Sequence, residues 1–212
     1  MGKGNARPMT RTRLDIPPAP MLGWAEEQDM TTPLDTLIRS RRSIRRFLTD
    51  PVDREKILFC LEAARLAPSA ENAQPCRFLV VDDPELKAKL AEEAFSGIYG
   101  MTKFAGQAPV LVVVLASLDF LAHRLGRRLQ GTQFYLIDIG IAGEHFVLKA
   151  EEQGLATCWI GWFNARRVRK VLRIPRKYKI VALFPLGAAA SRPPSETKRK
   201  SLEEIAWFNR IP

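Results

Sequence analysis

Apolar residues recur along this chain with two different periods, and the change from one to the other marks the elements. Leu34, Leu37 and Ile38 form a helical stripe behind Thr32-Pro33, an N-cap with proline at the first helical position. Asp53 is placed to cap a second helix, whose apolar residues Ile57, Leu58, Leu61 and Ala64 run to a stop at Ala67-Pro68. Unbroken apolar runs follow at 77–81 and 110–115, which read as strands buried on both faces. Pro84 opens a further helix through Ala94, and 156–160 and 179–186 complete a set of four strands. Loops are expected over 95–109 and 118–131. Helices interleaved with strands in this way predict an α+β class in one layered domain.

The segment from Thr132 to Gln153 has apolar residues on every side. Phe134, Ile137, Ile141 and Leu148 share one side, Tyr135, Ile139, Ala142 and Phe146 another, with Gly143 and Val147 on a third. A helix that is apolar all round must be covered all round. A central core helix meets that need, and so does a core helix that also forms a dimer seam, where Gly140 and Gly143 would let backbones approach closely. Gly154 is the expected C-cap. His145 lies within this helix and reads as a hydrogen-bonded core residue rather than a catalyst.

The first thirty or so residues follow neither period. Gly2, Gly4, Pro8, Pro17, Pro18 and Pro20 interrupt them, and Lys3, Arg7, Arg11 and Arg13 add charge without an amphipathic face. A flexible arm over 1–31 is expected, followed by a single domain over 32–212. With 212 residues at 46% hydrophobic, that domain can bury one sizeable core. Cys60, Cys76 and Cys158 are too few and too scattered for a disulfide framework, and two histidines without ligand spacing argue against a metal. No apolar stretch is long enough to span a bilayer and none resembles a secretory signal, so a cytoplasmic protein is expected.

Two short segments carry candidate chemistry. Arg41-Arg42-Ser43-Ile44-Arg45-Arg46-Phe47 puts four guanidinium groups and a hydroxyl in one turn. Each planar fork can give a phosphate two parallel charge-assisted hydrogen bonds. Ala67-Pro68-Ser69-Ala70-Glu71-Asn72-Ala73-Gln74-Pro75 offers Ser69, Asn72 and Gln74 to the edge of a planar heterocycle, between two prolines that fix the backbone. A phosphate clamp together with ring-edge donors suits a bound mononucleotide. Taken alone, an arginine cluster is more often a solvated face.

Arg-Arg-Ser-Ile-Arg-x-Phe followed by Ala-Pro-Ser-x-x-Asn-x-Gln-Pro resembles the nitroreductase family of FMN-dependent oxidoreductases. The likeness continues through Ala108-Pro109-Val110, Asp138-Ile139-Gly140-Ile141-Ala142 and Gly154-Leu155-Ala156-Thr157-Cys158-Trp159-Ile160-Gly161. It ends at Lys198-Arg199-Lys200-Ser201-Leu202-Glu203-Glu204-Ile205, in the family's order from about Pro33 to Asn209. The resemblance implies a three-layer α+β fold, a central mostly antiparallel sheet flanked by helices, in an intertwined homodimer with FMN at the interface. It assigns Arg41, Arg42, Ser43 and Arg199 to the phosphate region, with Arg45 at the pyrimidine edge of the flavin. Pro68, Ser69, Ala70 and Asn72 then fall to the ring, contributed by the opposite subunit, and Ile160 and Gly161 pack over it. Three positions depart from the pattern. Thr197 stands where some relatives carry lysine, Ala70 where serine is frequent, and Trp162 where a second glycine is frequent.

The implied activity is NAD(P)H-dependent oxidoreduction. NAD(P)H serves as a transient co-substrate and a small-molecule acceptor such as a nitroaromatic or quinone follows it on the same flavin face. Without a Gly-x-Gly-x-x-Gly turn, a triad or a metal set, the chemistry would reside in the flavin and not in a catalytic side chain. Two other readings stand beside this one. A specialised relative would dehalogenate its substrate or fragment flavin. A nucleic-acid- or anionic-surface-binding module would use the +10 net charge and the acid-free basic block over 166–179. That block carries no interleaved aromatics and no recognition-helix signature, which makes nucleic acid an unlikely partner. Val168, Val171 and Leu172 give its helix an apolar side and predict that the arginines face outward.

Overall fold

The alternation along one strand sets the layers of this protein, seen in a computed structural model that describes residues 32–117, 132–192 and 197–211. The expected arm over 1–31 and the expected loop over 118–131 lie outside those residues. The strands are β1 (Cys76–Val81), β2 (Val110–Ser117), β3 (Ala156–Thr157) and β4 (Tyr178–Gly187). They form one sheet in the order β1-β2-β4-β3, with every pair antiparallel. The flanking helices are α1 (Pro33–Ser40), α2 (Arg54–Arg65), α3 (Pro84–Ala94), α4 (Phe134–Glu152), α5 (Ala165–Val171) and α6 (Leu202–Ile205).

Val110, Val112, Val114 and Ala116 of β2 enter a core with Phe184 and Leu186 of β4 and with Ile57, Cys60, Ile139 and Phe146 of α2 and α4. Leu111, Val113 and Leu115 enter the opposite core with Leu183, with Leu90 of α3 and with Val168 of α5. Side chains alternate across a strand, so β2 is apolar from Val110 to Ala116 because both of its faces are covered there. Complete burial of each such side chain contributes about 1.5–3 kcal/mol. Three layers result, α2 and α4, the sheet, then α3 and α5. A register shift between Val114 and Leu115 lets β4 carry one extra residue, a bulge that bends the sheet where it widens.

Most local signals act as the residue types require. The Asp53 carboxylate accepts from the Glu55 amide at 3.0 Å, and Asp83 caps α3 ahead of Pro84 by accepting from Leu86 at 2.7 Å. Gly154 closes α4 at φ +72°, a left-handed conformation that favours glycine. His145 Nδ1 lies 3.3 Å from the Ala63 carbonyl on α2. No helix among the described residues is long and apolar enough to cross a membrane.

Four expectations need correction. The stretch expected as loop over 95–109 contains a 3₁₀ run, Gly97–Gln107. Tertiary bonds hold it, with Trp162 Nε1 donating to the Ile98 carbonyl at 3.0 Å and Thr102 Oγ1 to the Trp162 carbonyl at 2.8 Å. The strand expected over 156–160 is regular only at Ala156–Thr157. The chain then leaves the sheet and rejoins it at Ile160, which exchanges both backbone hydrogen bonds with Leu183 at 3.0 Å. In α5 the arginines do not all face outward. Arg169 turns in and donates to the carbonyls of Ile174, Pro175 and Tyr178.

The fourth correction concerns Gly143, which does not lie on an open seam. A Cβ at this position would come within 2.3 and 2.4 Å of two Trp159 ring atoms and 3.2 Å of Phe184. Glycine is required there because the indole lies against the α4 backbone. Gly140 is turned about 60° round the helix from Gly143, onto a side where a Cβ would meet nothing within 4 Å among the described residues. The same open side carries Ile137, 52% exposed. The apolar face of α4 is therefore covered on the sheet side and open around Ile137 and Gly140.

Candidate functional site

The arginine-rich segment is stitched onto the sheet edge by its own backbone. Ser43 bridges Thr157 in parallel, and the Ile44 amide donates to the Thr157 carbonyl at 2.9 Å. Further on, Leu48 donates to Ala188 and Ala190 donates to Arg46, each at 2.9 Å. Ile44 and Phe47 point into a small core with Ala108 and Ala156, which anchors the segment and leaves Ser43, Arg45 and Arg46 exposed. The apolar residues inside this basic run are what hold its cations in place.

Arg41 and Arg42 open onto a groove of about 1110 Å³, together with Arg39, Glu144, Lys198 and Arg199. Five cations face one carboxylate there, and that carboxylate, Glu144, lies 3.6 Å from Arg41 Nε. The Arg42 guanidinium donates to the carbonyls of Arg39 at 2.7 Å and Arg41 at 3.0 Å, while its buried Nε has no partner in the protein. Such an excess of donors over acceptors fits a multiply charged anion. Arg45 leaves the groove and lies over the Phe104 ring, 6.0 Å from its centroid. Thr197 also lines the groove, at the position where the resemblance led us to look for lysine.

Beside Ser43, the chain over 157–162 passes from buried to open. Thr157 and Cys158 are buried. Burial pushes the Cys158 thiol up, against the opposing pull of the Arg45 charge, a Ser43 hydrogen bond and the Arg41 charge. A thiol held protonated is a poor nucleophile. Trp159 packs edge-on to Phe184 with centroids 4.5 Å apart. Gly161 is exposed, and a Cβ built on it meets no protein atom within 4 Å. Nothing in this chain requires glycine at that position, so the bare backbone leaves space for something flat from outside.

The segment with Ser69 and Asn72 lies elsewhere. Its turn is locked internally. The Gln74 amide donates to Ser69 Oγ at 2.9 Å, and Gln74 Nε2 donates to Asn72 Oδ1 at 3.0 Å. Glu71, Asn72 and Gln74 all have positive φ, at 52°, 55° and 46°. Left-handed conformations at non-glycine residues cost of order 1–3 kcal/mol each, so the turn has to be held from outside. Asp138 of α4 holds it, accepting from the Ala70 amide at 2.9 Å. Asp138 is 4% exposed, and its Oδ2 is buried without a partner beside a cavity of about 340 Å³ bounded by Pro68, Ser69 and Gln74. Sequence reasoning gave Asp138 no role. An acid within the apolar first half of the helix, Phe134–Ala142, was the available signal.

Within one chain the two segments do not meet. Pro68 and Ser69 border the smaller cavity, Arg41, Arg42 and Arg199 the larger groove, and no residue lines both. Both abut α4, through Asp138 and Ala142 on one side and Glu144 and Leu148 on another. At about 100° per residue these two sides are turned roughly 120° apart.

A model of the nitroreductase family matches residues 38–99 and 100–188. The chain is similar to an NADH dehydrogenase of Thermus thermophilus, 34% identical over 181 residues that span 73% of this chain and 86% of the relative. It is also similar to the 5,6-dimethylbenzimidazole synthase of Rhodospirillum rubrum, 29% identical over 197 residues, 84% of this chain and 90% of the other. Among solved structures, the FMN-dependent nitroreductase of Clostridium difficile R20291 superposes with a TM-score of 0.66 at 26% identity, covering 82% of this chain and 98% of that one.

Proposed function

The chain belongs to the nitroreductase family of oxidoreductases, and we propose that it is an FMN-dependent homodimer that passes two electrons from NAD(P)H to an oxidised small molecule such as a nitroaromatic or quinone. The observation that carries this reading is the groove in which five cations face one carboxylate, beside a Ser43–Thr157 backbone bridge to the segment that carries the open backbone at Gly161. Bound FMN supplies the two-electron carrier. Arg41, Arg42 and Arg199 take its phosphate, and Ser43 adds a hydroxyl beside them. The unpartnered Arg42 Nε is a donor that a phosphate oxygen satisfies.

The isoalloxazine lies against Gly161, where no side chain stands in its way. Ile160 contributes apolar contact only, since its amide and carbonyl are both committed to Leu183. Arg45 reaches the pyrimidine edge from its perch over Phe104, where a fixed positive charge stabilises negative charge gained on reduction. Pro68, Ser69, Ala70 and Asn72 complete the ring site from a second copy, which accounts for their distance from the clamp in one chain. The surfaces left uncovered support a dimer. Ile137 and Gly140 are open on α4, and the C-terminal segment exposes Leu202, Ile205 and Phe208, the last at 88%. Among the described residues the one carboxylate of the groove, Glu144, faces Arg41, and donor and acceptor use one flavin face in turn.

The purified protein should be yellow, bleach with NAD(P)H, and give parallel double-reciprocal lines with a quinone. Arg41→Ala and Arg199→Ala should each weaken FMN binding by about 1.5–3 kcal/mol, the value of a charged hydrogen bond, with the exposed Arg199 at the lower end. Full flavin occupancy in both variants after gel filtration would remove the phosphate assignment. Intersecting lines would exclude the shared face.

A further inference from the structure

The proposed function leaves the choice between NADH and NADPH open. The two differ by one phosphate on the adenosine ribose, and a site that tells them apart must hold a dianion at a distance from the flavin. A second basic concavity, of about 500 Å³, lies between α3 and α5 and is lined by Lys89, Glu93, Arg167, Lys170 and Arg173. Its volume is within the range of small-ligand sites. Glu93 is committed to Arg167 at 2.7 Å. Among the described residues, Lys89, Lys170 and Arg173 form no ion pair. The concavity therefore presents three uncompensated cations to solvent.

A chain of side-chain contacts leads from the proposed flavin site towards it. Gly161 leads directly to Trp162, whose half-exposed indole donates to the Ile98 carbonyl and packs on Tyr99 with centroids 5.2 Å apart. Two residues before Ile98, Ser96 Oγ lies 3.4 Å from Arg167 Nη1, on the rim of the concavity. Two residues of chain span at most about 7 Å, so Arg167, on the wall of the concavity, stands a short step beyond the Trp162 shelf. Trp162 and Tyr99 form an aromatic ledge between the open glycine and the basic concavity. The sequence carries no Gly-x-Gly-x-x-Gly turn to hold a dinucleotide, and a basic surface beside an aromatic ledge can hold the adenosine half instead.

Arg173 gives a second reason to look here. It follows α5 at φ +51°, a left-handed position that favours glycine. An arginine kept at a strained cap, with its side chain on the wall of a basic concavity, fits a requirement for its charge.

We propose that Lys89, Lys170 and Arg173 bind the adenosine 2′-phosphate of NADPH and make the enzyme NADPH-selective, an inference that rests on the flavin reading above. The test combines binding with kinetics. By calorimetry, 2′,5′-ADP should bind the holoenzyme at least tenfold more tightly than 5′-AMP, with an advantage that shrinks as salt rises. Lys170→Ala should reduce that advantage about three- to tenfold. Arg173→Gly should reduce it similarly while relieving the backbone, so that unfolding cannot explain the loss. In both variants the NADPH/NADH ratio of kcat/KM should fall in parallel. Equal binding of the two nucleotides by the wild type would overturn the proposal, and so would an unchanged ratio in both variants. If the variants lose heparin or oligonucleotide binding but keep the nucleotide ratio, the patch serves a polyanion and the proposal also fails. A protein that discriminates the nucleotides yet carries no flavin would instead refute the flavin reading and leave this site standing.

Discussion

The contact between Gly143 and Trp159 allows a test in which one methyl group separates two accounts of α4. In Gly143→Ala the new carbon would come 2.3 and 2.4 Å from the indole, far inside contact distance, and 3.2 Å from Phe184. The indole cannot easily give way, because Phe184 lies 4.5 Å from it edge-on and itself packs on Phe146 at 5.7 Å. Overpacking of a rigid site costs about 1–3 kcal/mol, and overlap with two ring atoms belongs at the upper end. Alanine returns about 1 kcal/mol through helix propensity. The net loss is about 2 kcal/mol, which for a chain of this length lowers Tm by roughly 4–8 °C. Trp159 adjoins Ile160 and Gly161, so flavin occupancy should drop with it. Gly140→Leu should behave differently, since a Cβ there meets nothing within 4 Å among the described residues. It should weaken the dimer, read by light scattering, without a comparable loss in the fold. The measurements are thermal unfolding, visible absorbance and molar mass on both variants. If Gly143→Ala melts at or above the wild-type temperature, the indole does not pack on that backbone and the assignment of sides on α4 is wrong.

Asp138→Ala should leave the Ala70 amide unpaired and release a turn with three left-handed residues, at a cost of about 1–3 kcal/mol. Asp138→Asn, which keeps an acceptor oxygen, should recover most of that loss, and equal melting temperatures for alanine and wild type would dismiss the anchoring role. Burial pushes the Cys60 and Cys76 thiols up to about 12, from an ordinary value near 9. The unfolded chain therefore loses these protons first, and stability should fall as pH rises from about 9 towards 12. A Cys60→Ala, Cys76→Ala double variant should lose less over that range, and an identical alkaline limb in both proteins would count against buried thiols as the cause.

The legible parts of this chain and the hidden ones differ in physical kind. Apolar periodicity is a local property, and β2 could be read because both of its faces are buried along nearly its whole length. Caps were legible for the same reason, since Asp53 and Gly154 act within a few residues of themselves. The 3₁₀ run Gly97–Gln107 could not be read, because Trp162, sixty or so residues away, supplies its hydrogen bonds. Gly143 was misplaced for a related reason. A glycine in a helix signals a close approach but does not say to what, and the partner proved to be an indole on the following strand segment. The candidate site divides along the same line. Arg41, Arg42 and Ser43 could be named from composition and spacing, whereas their setting depends on Ile44 and Phe47, whose burial draws the basic run onto the sheet edge. Asp138 shows the limit most directly. Its carboxylate matters because it meets an amide sixty-eight positions earlier in the chain. One buried acid thereby ties the turn over 69–74 to the helix that also borders the basic groove. If a second copy docks on the open side of that helix, a single element positions both halves of the site, and loosening α4 should disturb phosphate and ring contacts together.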